Sequence, residues 1–169
     1  PWKLVVPAGA LLNTDVVEAR YAAGFLVYAL NSGDLEAAPM DLGKRQLTGR
    51  PVTIATGVSL SGVGWAQFAV SANGSVAYIP EEFAWPGTHD PSARLAVTEG
   101  HNFHSPRFSR DGRRLAVDFT TIDGRDIWLV DLAARAMTRA TFNRDGHDAS
   151  WEPDGRSLSF ISAPSGVLG

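Results

Sequence analysis

Between residues 103 and 142 the chain alternates apolar and polar positions with a period of two, broken at short intervals by turn residues. In RRLAVDFT (113–120) Leu115, Val117 and Phe119 fall on one side, the pattern of a half-buried strand. Before it, SPRFS (105–109) is a short strand and Arg110-Asp111-Gly112 a turn whose glycine tolerates positive φ. After it, TIDGRD (121–126) supplies a second Asp-Gly turn. IWLVDL (127–132) is a strand of β-branched, aromatic and aliphatic residues, AARA a connector, and MTRATF (137–142) a fourth strand. The pattern predicts four short antiparallel strands in succession.

The opening hairpin then returns. FSRDGRRLAV (108–117) aligns without a gap on WEPDGRSLSF (151–160) at an offset of 43 residues, pairing Asp111 with Asp154 and Gly112 with Gly155. Upstream, FAVSANGSVAYIP (68–80) has the same form, with Asn73-Gly74 in place of Asp-Gly. Earlier still, 22–30, 31–42 and 50–58 read as the last three strands of a unit. The hairpin glycines Gly24, Gly74, Gly112 and Gly155 are spaced by 50, 38 and 43 residues, bracketing the roughly 40–45 residues of a four-stranded propeller blade. No stretch sustains the 3.6-residue apolar periodicity of a helical repeat.

Such a sheet is apolar on both faces and must be covered by neighbours, so the period predicts an all-β propeller. We expect three to four four-stranded antiparallel blades, incomplete at both ends. Residues 1–60 form a partial first blade, 61–100 an irregular second, 101–143 a complete third and 144–169 the first half of a fourth. Propellers close with about four to eight blades, so the chain reads as a piece of a longer one. Its uncovered strand edges and blade faces are expected to favour self-association.

Composition narrows the function classes. The 169 residues carry a net charge of -3, with 17 Gly, 10 Pro and no Cys, which excludes disulfides and thiolate chemistry. Residues 1–80 balance at 5 basic and 5 acidic, whereas 81–169 hold 10 Arg against 13 Asp and Glu; that is no nucleic-acid footprint. No apolar run approaches the roughly 20 residues of a membrane span, and no membrane contact is expected from this segment.

SPRFSRDGRRLAV, DIWLVDL, MTRATF and SWEPDGRSLSF resemble the PD40 (WD40-like) repeats of TolB-like β-propellers, over residues 101–169. LEAAPMDLGKRQLTGRPVTIATGV and AQFAVSANGSVAYIPE further resemble the propeller C-terminal to the kinase domain of bacterial serine/threonine protein kinases, over residues 24–82. The segment EEFAWPGTHDPSARLAVTEG (81–100) departs from that pattern, with two prolines and no clear third strand. The resemblance implies a bacterial, noncatalytic module that binds a protein partner or small ligand at a propeller face. It would serve a sensory or scaffolding part of a signalling protein, extracytoplasmic on a membrane-anchored kinase or periplasmic. The alternatives are the gating propeller of a prolyl-oligopeptidase-like serine peptidase and a TolB-like periplasmic interaction protein.

Chemistry-bearing motifs are few. GxSxG, GxxxxGK[ST], HExxH and HRDxxxxN are all missing from the sequence, so no catalytic residue, metal or cofactor is expected. His101 and His104 precede one blade, and Asp145, His147 and Asp148 precede the next. Loops joining consecutive blades line one propeller face, which makes these five the candidate binding residues at the channel mouth. Asn73, Asp111 and Asp154 stand just before turn glycines and are assigned to turn geometry. Trp128 is expected between blades, and Arg107, Arg110, Arg113 and Arg114 at a solvated hairpin tip with cross-strand ion pairs. Trp65, Phe83 and Trp85 read as rim cover of the irregular blade.

Overall fold

In the computed structural model residues 15–61, 65–81 and 103–162 are described, and every element among them is a strand. The expected irregular stretch 81–100, with Phe83 and Trp85, falls outside the described residues apart from Glu81, and so does His101. Among the described residues no helix is long and apolar enough to cross a membrane. Two compact units divide the chain: one takes in Asp15–Ala66 with Pro80 and Glu81, the other Gln67–Ile79 with 103–162.

The first unit is a twisted antiparallel blade of β1 (Val16–Ala22), β2 (Phe25–Leu30), β3 (Leu35–Asp41), and an outer strand in two pieces, β4 (Gln46–Leu47) and β5 (Val52–Ala55), both on β3. Sequence reading gave this unit three strands; the structure adds β1 in front of them. The missing signal has a physical cause. In VVEARYA the apolar Val17, Ala19 and Tyr21 alternate with Glu18 and Arg20, but the strand buries Glu18, ion-paired with Arg20, and leaves Ala19 and Tyr21 exposed, so the apolar side does not mark a buried face. Gly24 also differs from the other hairpin glycines. It closes a two-residue turn in which Ala22 pairs with Phe25 and both Ala23 (φ 51°) and Gly24 (φ 84°) are left-handed. Tyr28, Leu30 and Ala38 form the buried centre, and the Tyr28 hydroxyl donates to Glu36 Oε2. Burial, and then the Glu36 carboxylate, push the Tyr28 phenol well above its ordinary range.

The second unit holds the hairpin β6 (Phe68–Val70)–β7 (Val76–Tyr78) and the blade β8 (Phe103–Phe108), β9 (Arg114–Thr121), β10 (Gly124–Asp131), β11 (Ala136–Arg139). A half-blade, β12 (Gly146–Trp151)–β13 (Leu158–Ser162), follows. Blade β8–β11 is the four-stranded antiparallel sheet expected, and both its faces are covered. Toward β6–β7, Phe103, Leu115, Val117, Phe119 and Val130 pack with Ala77, Ile79 and Trp128. Phe119 stacks on Trp128 at 5.0 Å between ring centroids and meets Phe103 edge-on at 5.1 Å. Toward β12–β13, Ala116 and Ile127 pack with Ala149, Trp151 and Leu158. Trp128 stacks on Phe119 of its own blade and packs against this cluster.

One turn design is used three times. Ser109 N donates to Arg114 O (2.8 Å), Gly112 N to Ser109 O (2.9 Å), and Arg113 N to Asp111 Oδ1 (3.1 Å). Ser71–Ser75 around Asn73-Gly74 and Glu152–Ser157 around Asp154-Gly155 repeat the backbone pattern. Asp111 and Asp154 therefore spend their oxygens on their own turns. The Ser109 hydroxyl and the Arg113 amide lower the first carboxyl, and the Arg156 and Ser157 amides lower the second.

Of the arginines around this turn, Arg110 and Arg113 are exposed as a hairpin tip requires, whereas Arg114 is engaged by the next blade. Arg114 lies over the Trp151 ring at 4.7 Å and donates from Nη2 to Gly155 O (2.7 Å), while the Trp151 indole donates to Arg107 O (3.0 Å). These contacts staple the third blade to the fourth, because the repeat sets one turn beside the next.

Gly124 and Gly155 separate two kinds of glycine requirement. At Gly155 (φ 65°) a Cβ would meet open space, whereas at Gly124 (φ 134°) it would stand 2.3 Å from Arg144 O. Gly155→Ala is expected to destabilise by about 1 kcal/mol, the strain of a left-handed alanine. Gly124→Ala should cost more, roughly 2–4 kcal/mol, because the backbone itself must move. Urea unfolding midpoints of the two variants check the order.

Candidate functional site

Three of the residues expected in loops before the third and fourth blades, His104, His147 and Asp148, belong to strands. Phe103 already pairs with Phe119 and His104 with Asp118, so His104 lies in β8. His147 pairs with Ile161 in β12, with Asp148 next to it and Asp145 just ahead. A bulge hides both strand starts. The register shifts between His104 and Arg107, and again between His147 and Ser150. Ser105 (φ 50°) and Asp148 (φ 52°) take the left-handed conformation there, which breaks the period of two that marks a strand in sequence.

Ser105 and Asp148 are repeat equivalents, as are His104 and His147. The 43-residue offset that superposes the two turns superposes these pairs as well, a signal that extends the alignment four residues further back. At each bulge the amide of the left-handed residue is taken by a side chain from the preceding blade. Ser105 N donates to Gln67 Oε1 (2.6 Å), and Asp148 N to Asp118 Oδ1 (3.2 Å). The Ser105 hydroxyl then reaches forward to Asp148 Oδ1, and Asp148 Oδ2 meets His147 Nδ1 at 2.8 Å.

Of the five candidates, the structure brings His104, His147 and Asp148 together. The Asp145 backbone bridges to Arg125, while its Oδ2 accepts from Ser162 at the base of the β12–β13 hairpin (2.7 Å). His101 lies outside the described residues. Asp118, Arg125, Ser105 and Gln67 complete the group and were not singled out from sequence as binding residues. Asp118 is fully buried and its carboxylate pairs with Arg125 Nε across the β9–β10 ladder.

The electrostatics follow from burial and neighbours. Burial raises the Asp118 carboxyl, against the opposing pull of Arg125 and of the Asp148 amide. His104 is lowered, first by burial and then by Arg125, although Asp118 and Asp148 draw the other way. Asp148 is lowered, chiefly by the Ser105 hydroxyl and then by His147.

Serine, aspartate and histidine in one hydrogen-bonded chain invite comparison with a nucleophilic triad, and the order excludes it. A triad needs imidazole between hydroxyl and carboxylate so that it can take the serine proton. Here the carboxylate is in the middle, Ser105 is buried, and its hydroxyl donates to an anion that holds it in place. Among the described residues no three His, Cys, Asp or Glu side chains are grouped to hold a metal ion.

The same end of the sheet carries exposed apolar groups. The β9–β10 turn presents Ile122 fully to solvent, and Phe142 after β11 is 69% exposed, with Arg139 over its ring at 5.1 Å. Arg144 O accepts from Arg125 N (3.1 Å), which fastens this loop to the turn. Asp126 anchors the loop from below, accepting from Arg139 Nη2 (2.5 Å), Thr141 Oγ1 (2.9 Å) and Arg144 N (3.2 Å).

No family profile and no curated protein sequence matches the chain. Solved structures do. TolB from Acinetobacter baumannii superposes with a TM-score of 0.64 at 16% identity, covering 93% of this chain and 40% of its own. The β-propeller domain of the Trilobed protease from Pyrococcus furiosus, with an open velcro topology, gives 0.37 at 14% identity over 86% and 33%. The first match shows a TolB-like β-propeller fold, and the chain spans about two fifths of that protein's length.

Ser105→Ala removes the bond that lowers Asp148. A carboxyl lowered by folding adds stability above its unfolded value and loses it as pH falls through the folded one. The expected loss is about 1 kcal/mol at neutral pH, modest because the Asp148 carboxylate is half exposed and screened. Urea unfolding should show the difference from wild type shrinking below about pH 4.

Proposed function

We propose that this segment is a noncatalytic propeller module that binds a protein partner at the end of the blades where β8 and β12 begin. The observation that carries the reading is the combination found there. Ile122 and Phe142 are exposed on a loop and turn braced by the hydrogen bonds to Asp126 and Arg125, beside the partly exposed polar strip of His147 and Asp148. Exposed apolar anchors on a rigid frame with a polar flank are what protein interfaces use for their central contacts. The position of the carboxylate between Ser105 and His147 supports binding over acyl-transfer chemistry.

The upstream likeness to kinase-linked propellers favours a sensory or scaffolding role in a bacterial signalling protein. The gating propeller of a serine peptidase is the second reading. Neighbouring coding sequence separates them, with kinase motifs expected upstream for the first and GxSxG downstream for the second.

Peptides selected for binding to the chain should perturb the amide resonances of 122–125, 142–148 and β8. Phe142→Ala and His147→Ala should each weaken those peptides by about tenfold, the scale of one interface anchor. Binding that maps elsewhere and ignores both substitutions would overturn the assignment of this face.

A further inference from the structure

The chain contains five steps in which Asp or Asn precedes glycine: Asn73-Gly74, Asp111-Gly112, Asp123-Gly124, Asp145-Gly146 and Asp154-Gly155. Each carries the same latent chemistry, because glycine puts no side chain in the way of its own amide nitrogen, which can reach the carbonyl carbon of the preceding side chain. Four of the five are tied down. Gly74, Gly112 and Gly155 donate their N–H groups to Ser71 O (3.0 Å), Ser109 O (2.9 Å) and Glu152 O (2.9 Å). The side chains before them are held as well. Asn73 Oδ1 accepts from the Ser75 hydroxyl (3.2 Å), Asp111 Oδ1 from the Ser109 hydroxyl (2.6 Å) and the Arg113 amide (3.1 Å), and Asp154 Oδ1 from the Arg156 (2.8 Å) and Ser157 (3.0 Å) amides. Asp145 Oδ2 takes the Ser162 hydroxyl, and Gly146 is buried in the β12–β13 ladder opposite that same residue.

Asp123 is held by neither device. Its carboxylate accepts no hydrogen bond among the described residues and has only Arg144 Nη1 at 3.9 Å, with both side chains mostly exposed. Ile122 and Asp123 form a two-residue turn between the paired Thr121 and Gly124, and neither is left-handed, unlike Ala23 and Gly24 in the β1–β2 turn. A two-residue turn of this kind opposes the twist of its strands, and Gly124 takes up the mismatch at φ 134°. An exposed, mismatched tip is where a hairpin opens most readily.

We propose that Asp123-Gly124 is a site of spontaneous covalent modification, at which Asp123 becomes isoaspartate while the other four steps stay intact. The Gly124 nitrogen attacks Cγ of the Asp123 carboxyl. The N–Cγ bond forms, and the amide proton and the carboxyl hydroxyl leave together as water, closing a cyclic imide. Water then adds at the Asp123 backbone carbonyl carbon and breaks its bond to nitrogen, so that the chain runs on through Cγ. The water lost is the water regained, and neither oxidant nor reductant takes part. The bonds that lower the Asp111 and Asp154 carboxyls work against the same reaction there, since they deplete the protonated form from which water departs. The product carries an extra backbone carbon in the turn. It displaces Ile122 and loosens the bond from Arg125 N to Arg144 O, and so alters the proposed binding face; the modification itself does not rest on that reading.

Ageing this chain at neutral pH, folded and in concentrated urea, tests the site, with peptide mass spectrometry that distinguishes isoaspartate from aspartate at each step. In urea the four Asp-Gly steps should convert at similar rates. Folding should slow conversion at 111, 145 and 154 by about tenfold or more, the scale of breaking one hydrogen bond to a charged group, and should suppress deamidation at 73. At 123 the folded rate should stay within about threefold of the rate in urea. Protection of 123 equal to that of 111 and 154, or faster conversion at any other Asp-Gly step of the folded chain, overturns the proposal.

Discussion

A sheet that is apolar on both faces cannot be left wet, and this constraint organises the molecule. In β9 Leu115, Val117 and Phe119 point one way and Ala116 and Asp118 the other, and all five are at most 5% exposed. Burying a large apolar side chain is worth about 1.5–3 kcal/mol, so neither face of the third blade can give up its cover cheaply. The repeat supplies that cover from both sides. β13 shows the contrast: Ser159, Phe160, Ile161 and Ser162, which align with Ala116–Phe119, are all exposed.

What the sequence discloses is what local chemistry writes. The turn repeats because Ser, Asp or Asn, and Gly at fixed offsets satisfy their own backbone, so Gly74, Gly112 and Gly155 mark hairpins wherever they occur. The alternation of Leu115, Val117 and Phe119 is legible for the same reason. Glu18 conceals β1 because its burial depends on an ion pair with Arg20 that no periodicity announces. His104 and His147 read as loop residues because a left-handed bulge interrupts the strand two positions after its start. Asp118 looks like a surface charge among arginines, and only the arrival of Arg125 and of the Asp148 amide makes it an interior one.

The candidate site was half visible for a related reason. Repeats bring equivalent positions of neighbouring blades side by side, so histidines 43 residues apart had to approach each other. Their partners belong to the second and third strands of the blade, where a single Asp or Arg carries no signature. Turn aspartates and site aspartates also share a composition. Asp111 and Asp154 bond forward to amides of their own loops, whereas Asp118 and Asp148 bond across strands and blades. Direction of bonding separates structural from interblade carboxylates here.

A buried ion pair is a poor device for stability alone, since desolvation of Asp118 and Arg125 offsets most of their attraction. Leucine at 118 would continue the apolar face shared by Ala116, Ile127 and Leu158, but it would leave the Asp148 amide without its acceptor. A hydrogen bond to a charged acceptor is one of the stronger kind, so the charge at 118 supports the bulge at 148. The third-to-fourth joint is accordingly specified by polar pairing as well as by shape. Gln67 does the same work for Ser105 with a neutral amide. Two joints built on one geometry thus differ in the chemistry of a single acceptor, a neutral amide for Ser105 and a buried carboxylate for Asp148.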